Sequence, residues 1–297
     1  MATRIKAVAT EHHRGRVLGR GALHLTDAAA RSCLERGHCD GAELDLLINT
    51  GIYRDHNLAE PALASIIQDD LGVNRGHPPK FGHHGTFSFD LSNGGCGVVT
   101  ALQLADGFVG CGTARFALIV AGDADPAPHS TRGYPFAPAG GAMLLEYVPG
   151  ETGFLGFAIR TFPEAGLFES NMRWDEAAGI LHQGRNVVEF VESPQFALRC
   201  LDHGVAVARE LLASVGVGIA DVGLLISSQY PADFATSLAR RLELPSDRVP
   251  RVAPELERTH TAGPIAALEA ADGSAARHTL FVTAGAGPTI AAALYRR

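Results

Sequence analysis

The sequence predicts an internally duplicated α/β protein whose two copies stack as five layers: helix, sheet, helix, sheet, helix. Short apolar runs bounded by helix-length amphipathic segments predict the α/β class. Four segments of the first half that recur in the same order in the second predict the duplication. Leu46-Leu47-Ile48-Asn49-Thr50 is matched by Leu224-Leu225-Ile226-Ser227-Ser228, and Ala101-Leu102-Gln103-Leu104-Ala105-Asp106-Gly107 by Ala267-Leu268-Glu269-Ala270-Ala271-Asp272-Gly273. Phe116-Ala117-Leu118-Ile119-Val120-Ala121-Gly122 is matched by Thr279-Leu280-Phe281-Val282-Thr283-Ala284-Gly285, and each half ends on a Gly-led apolar strand, Gly141 to Tyr147 and Gly287 to Tyr295. A single doubly wound sheet would not produce such a repeat. The chain divides into halves at 1–150 and 151–297.

Taken in order, each copy reads strand, helix, strand, helix, strand, strand. A first helix near Asp27 to Arg36 precedes the strand Leu46 to Thr50, whose unbroken apolar run suits a strand covered on both faces. The helix from Pro61 to Leu71 places Leu63, Ile66, Ile67 and Leu71 on one face and Ser65, Gln68 and Asp69 on the other. The segment Thr86 to Leu91 forms a strand running into the helix that holds Ala101 to Gly107. In the second half the first helix spans about Gln195 to Val215. After the strand at Leu224, Pro231 opens a helix that continues through Leu242.

Composition narrows the function. At 297 residues and 46 % hydrophobic, the chain can bury a large core. The net charge of −7, with scattered bases, argues against a nucleic-acid partner. Apolar runs such as Phe116 to Ala121 fall far short of a membrane span. Met-Ala-Thr-Arg-Ile-Lys is no signal peptide, so a cytoplasmic location is expected. The five cysteines, Cys33, Cys39, Cys96, Cys111 and Cys200, include no CxxC and are not expected to form disulfides. The pairs His12-His13 and His83-His84 are adjacent rather than three or four apart, so neither a metal nor another cofactor is expected.

The stretch Ser88-Phe89-Asp90-Leu91-Ser92-Asn93-Gly94-Gly95-Cys96-Gly97 resembles the nucleophile elbow of the third type of ketoacyl synthase, in the thiolase superfamily. Ile48-Asn49-Thr50-Gly51-Ile52-Tyr53-Arg54-Asp55, followed by Glu60-Pro61-Ala62, is most similar to the olefin-pathway (OleA-type) acyl-CoA-condensing synthases. The resemblance runs from about Leu25 to the C-terminus and implies the thiolase fold. It also implies an N-terminal shortening that omits a first strand and part of the CoA-binding surface. Its chemistry needs a cysteine at a helix N-terminus to carry an acyl thioester, and a His and an Asn to hold the second thioester. In the olefin type it also needs a glutamate base donated across a dimer interface.

Placed on the family pattern Asp, apolar, Ser, Asn, Ala, Cys, any, Gly, the nucleophile position falls on Gly95, and Cys96 comes one residue late. One residue turns a helical side chain by about 100°. The histidine position is Ser228 and the asparagine position is His260. Glu60 stands where the condensing base would be, within the polar loop of Arg54, Asp55, His56 and Asn57. An acid ahead of Pro61 could equally serve the start of a helix. The resemblance therefore implies a subunit inactive alone that lends Glu60 to a paralogous catalytic ketoacyl synthase. That heterodimer, of the lipstatin or nocardiolactone β-lactone type, would condense two acyl-CoA substrates head to head. Two alternatives stay open: a self-sufficient acyltransferase using Cys96 and His260, and a purely structural partner.

Overall fold

The computed structural model describes residues 3–12, 21–55, 60–75, 85–127, 131, 133–175 and 185–297. His13, His56, Asn57, His83 and His84 lie outside them. Two sheets carry the duplication. The first has the order β1-β5-β4-β2-β3, built from β1 (Thr3–His12), β2 (Leu46–Asn49), β3 (Phe87–Asp90), β4 (Phe116–Asp123) and β5 (Ala139–Tyr147). The second has the order β6-β11-β10-β9, from β6 (Gly153–Thr161), β9 (Leu224–Ser227), β10 (His278–Gly285) and β11 (Thr289–Arg296). A separate hairpin pairs β7 (Phe168–Asp175) with β8 (Arg185–Glu192). In both sheets a parallel pair, β2 with β4 and β9 with β10, is followed by antiparallel neighbours. The strand β1 lies antiparallel to β5 as β6 does to β11, which corrects the expectation that a first strand is omitted: Thr3–His12 supplies it, its pattern broken by Arg4, Lys6 and Glu11.

The layers follow from which helix covers which face. α1 (Ala22–Arg36) and α2 (Leu63–Leu71) cover the outer face of the first sheet, while α4 (Phe196–Ser214) and α5 (Phe234–Arg241) cover the outer face of the second. α3 (Gly97–Gly110) and α6 (Gly263–Ala270) lie between the sheets. The strand pleat sends alternate side chains to opposite layers. In β4, Phe116, Leu118 and Val120 enter the core under α1 and α2, and Ala117, Ile119 and Ala121 enter the core between the sheets. In β10, Leu280, Val282 and Ala284 pack toward α4 and α5, and Phe281 packs into the middle layer. This double coverage is why these strands read as unbroken apolar runs. In α2, Leu63 and Ile67 are buried while Ser65 and Asp69 are exposed, as the helical period requires.

Two expectations need correction. The second half has no described strand matching β3, because Pro245, Pro250 and Pro254 crowd the corresponding stretch and proline cannot donate to a ladder. The sequence also gave no sign of β6 or of the β7–β8 hairpin between the halves.

Aspartates at strand ends tie the layers together. Asp123, the last residue of β4 and fully buried, accepts the backbone N–H groups of His260 (2.8 Å), Thr261 (2.9 Å) and Ala262 (3.0 Å). It also accepts the Thr261 hydroxyl at 2.7 Å. One carboxylate of the first half thus holds the turn that opens α6 in the second. Asp123→Ala leaves three N–H groups without their acceptor, each costing about 1–3 kcal/mol when buried. We expect chemical denaturation to show a loss of at least about 3 kcal/mol; a loss under 1 kcal/mol would contradict this role.

Candidate active site

The elbow runs from β3 through a 3₁₀ turn, Gly94–Cys96, into α3. Gly94 has φ +48°, a left-handed conformation that glycine adopts without a Cβ penalty. Gly95 follows at the nucleophile position. A Cβ built there would stand deep inside van der Waals contact with the Ala284 carbonyl oxygen, and 3.5 Å from His260 Nε2. Ala284 is held in that place because its N–H donates to Ser228 Oγ at 3.0 Å. Gly95, Ser228 and His260, which the family resemblance matches to the nucleophile, histidine and asparagine positions, therefore meet at one point: a missing side chain admits a carbonyl, a small hydroxyl anchors that carbonyl's residue, and a ring lies beside it.

Cys96 is turned the other way. Its thiol is fully buried and donates toward the carbonyls of Thr289 (3.2 Å) and Thr283 (3.5 Å), on β11 and β10. Burial pushes its pKa up to about 12, so the nucleophilic thiolate is absent near neutral pH. The structure does not join Cys96 to His260, and the dyad expectation is corrected. The one-residue displacement rotates the thiol into the packed face between β10 and β11.

His260 is built into an aromatic wall instead. Its ring stacks on Phe136 at 4.3 Å and 9°, and its Nδ1 lies 2.7 Å from the Tyr53 hydroxyl. Tyr53 packs in turn against Tyr134 and Phe190. Burial lowers the His260 pKa to about 4, so the ring is neutral at pH 7. Rings of Tyr53, Phe136 and His260 thus pack together beside the elbow. One cleft of about 330 Å³ lies between β1 and the α6–β10 turn, and another against α5.

Glu60 is exposed and makes no hydrogen bond or ion pair to a described residue. The helix-start role is filled by another group. Asp90 accepts the N–H groups of Leu63 (2.8 Å) and Ala64 (2.7 Å), along with Asn49 Nδ2 (3.1 Å) and the Arg54 guanidinium. Asp55 likewise caps α1, accepting from Ala22 (2.9 Å) and Leu23 (3.3 Å). The neighbouring strand β3 is an edge of its sheet, with Phe87 57 % exposed and packed beside Phe89 and Phe108. Sequence reasoning missed Ala284, whose part is played by a backbone carbonyl and carries no side-chain signature. It also missed Tyr134 and Phe136, and it quoted Tyr53 in a motif without giving it a part in this wall.

Two α/β sheets sandwiching a pair of central helices, with a glycine-rich elbow at the end of a strand, define the thiolase fold. No protein-family model matches the chain. Over 257 residues it is 30 % identical to the β-ketoacyl-(acyl-carrier-protein) synthase III 2 of Streptomyces coelicolor, covering 84 % of this chain and 70 % of that one. Among solved structures, 3-oxoacyl-(acyl-carrier-protein) synthase III from Aquifex aeolicus superposes with a TM-score of 0.80 at 19 % identity, covering 100 % of both chains. A variant of OleA from Xanthomonas campestris superposes with a TM-score of 0.77 at 15 % identity, covering 100 % of this chain and 99 % of the other. The chain belongs to the β-ketoacyl-(acyl-carrier-protein) synthase III family.

Two measurements check this geometry. Overpacking a close-packed site costs about 1–3 kcal/mol, so Gly95→Ala and Gly95→Cys should both be destabilised by at least that much. Gly107→Ala, in α3 with open space at its Cβ, should be neutral or stabilised. Equal stability of Gly95→Ala and wild type would contradict the carbonyl approach.

The second measurement concerns pH. The folded pKa of His260 lies below its unfolded value of 6.5, so the unfolded state takes up the proton first and stability falls as pH drops from 6.5 through about 4. Burial raises the pKa of Asp123, which acts in the opposite sense at low pH. Comparison with His260→Asn isolates the ring. Between pH 7 and 4 the wild type should lose about 3 kcal/mol more than the variant; parallel pH profiles would contradict a neutral buried imidazole.

Proposed function

We propose that this chain is the non-nucleophilic subunit of a heterodimeric condensing synthase, completing the active site of a paralogous ketoacyl synthase. The partner supplies the acylated cysteine, the histidine and the asparagine, and this chain lends Glu60. The reaction is a head-to-head Claisen condensation of two fatty acyl-CoA thioesters without decarboxylation. It forms a 2-alkyl-3-ketoacyl product for lipid or β-lactone biosynthesis. The observation that carries the reading is the contrast between a closed elbow and an unpartnered carboxylate. The space beside Gly95 is occupied by the Ala284 carbonyl, whereas Glu60 is exposed shortly before α2, which packs on β3, an edge strand among the described residues.

An edge strand with free backbone groups and an exposed Phe87 calls for a cover. A partner strand laid along β3 supplies one, in an obligate interface of over about 2,000 Å². In this reading Glu60 borders the partner's pocket, a reading supported by the tie of α2, which it precedes, to the end of β3 through Asp90. A carbon beside a thioester carbonyl is a weak acid, so enolate formation needs a positioned base. Desolvation in an apolar acyl pocket strengthens a carboxylate as that base.

Glu60→Gln keeps the shape and removes the base. In the assembled complex it should leave partner acylation intact and slow condensation by about 10²–10⁴-fold, the usual contribution of a general base. Glu60→Asp should fall between, since its carboxylate withdraws by one methylene. Condensation by Glu60→Gln at the wild-type rate would reduce the chain to a scaffold.

A further inference from the structure

We infer that Arg54 is a positioning residue that aims Glu60, by clamping the segment carrying it to the end of the edge strand. The inference rests on the reading of Glu60 as a base lent to a partner. The Arg54 guanidinium has two arms in use. Nη1 donates to the Pro61 carbonyl at 3.1 Å, and Nη2 donates to Asp90 Oδ2. The Arg54 side chain is 26 % exposed and that of Asp90 15 %, so the pair is partly shielded from solvent.

Asp90 is itself immobile. It ends β3 and accepts the Asn49 side chain and the N–H groups of Leu63 and Ala64. Arg54 therefore links a fixed point of the sheet to the peptide that joins Pro61 to Ala62, one residue beyond Glu60. Among the described residues Glu60 makes no hydrogen bond or ion pair that would hold its carboxylate. Pro61 and α2 follow it directly, and Arg54 fastens the Pro61 carbonyl. A planar fork with two donor arms can bridge two acceptors at once, which an ammonium on a flexible stem does poorly. A base acting on a carbon acid across an interface tolerates little displacement, and a misplacement of about 1 Å can cost about 10²-fold.

The structural alternative is that Arg54 only adds stability to the start of α2. A double-mutant cycle in the assembled complex separates the two, with dodecanoyl-CoA as substrate and condensation, partner acylation and complex assembly as readouts. Arg54→Met should lower kcat for condensation by about 10–100-fold with partner acylation and assembly retained. Arg54→Lys, which keeps the charge facing Asp90 but loses the second arm, should lie between. In the Glu60→Gln background, Arg54→Met should add no further loss, because the group it aims is already gone. An equal further loss in that background would overturn the proposal, as would a wild-type rate for Arg54→Met. Failure of both Arg54 variants to assemble would overturn it too, since Arg54 would then serve folding. Wild-type condensation by Glu60→Gln alone identifies the other failure, that of the base reading, and the proposal falls with it.

Discussion

The approach of the Ala284 carbonyl oxygen to Gly95 sets the terms on which the two halves of this chain meet. A carbonyl can come that close to an elbow only where no Cβ stands, and it stays there because Ser228 holds the N–H of the same residue. Any side chain at position 95 would have to move β10 near its junction with β11, where Ala284 and Ile290 are paired in the ladder. A ladder residue buried in both halves of a close-packed molecule does not move cheaply. Gly95, Ser228 and His260 are therefore coupled in packing terms, because the Ala284 carbonyl that fills the space beside Gly95 belongs to the residue that Ser228 holds.

The same economy governs where charge is kept. Asp55, Asp90 and Asp123 each accept backbone N–H groups near the start of a helix, so the carboxylates with structural work are fully engaged. Glu60 is exempt from that work because Asp90 already serves α2. Asp90 is bonded to four groups, and releasing them would unmake the start of α2. Burial acts on the closed centre in the opposite sense. It holds His260 neutral and Cys96 protonated, which suits a packed wall and not a reacting one.

Much of this architecture was legible in the sequence because β2, β4, β9 and β10 are covered on both faces and read as apolar runs. The strands that open each half, β1 and β6, escaped notice because only part of each is buried. Arg4, Lys6 and Glu11 interrupt the pattern in β1, and Arg160 does so in β6. The elbow register was read from Asp90 and Gly97, and the structure shows the Cys96 thiol turned toward the Thr283 and Thr289 carbonyls. The spacing of Arg54 and Asp55 was legible too, but their tasks were not. Each bonds to groups far along the chain, and only the folded backbone brings them together. The plug itself was invisible, since a main-chain oxygen looks the same in every sequence.

The proposed division of labour requires that this chain carry no acyl group of its own. Intact mass measurement after incubation with a long-chain acyl-CoA tests it most directly, first on the isolated chain and then on the chain mixed with its condensing partner. The account predicts an unchanged mass for this chain in both cases and an acyl adduct on the partner's cysteine. A near-stoichiometric acyl adduct on Cys96 of this chain would contradict it.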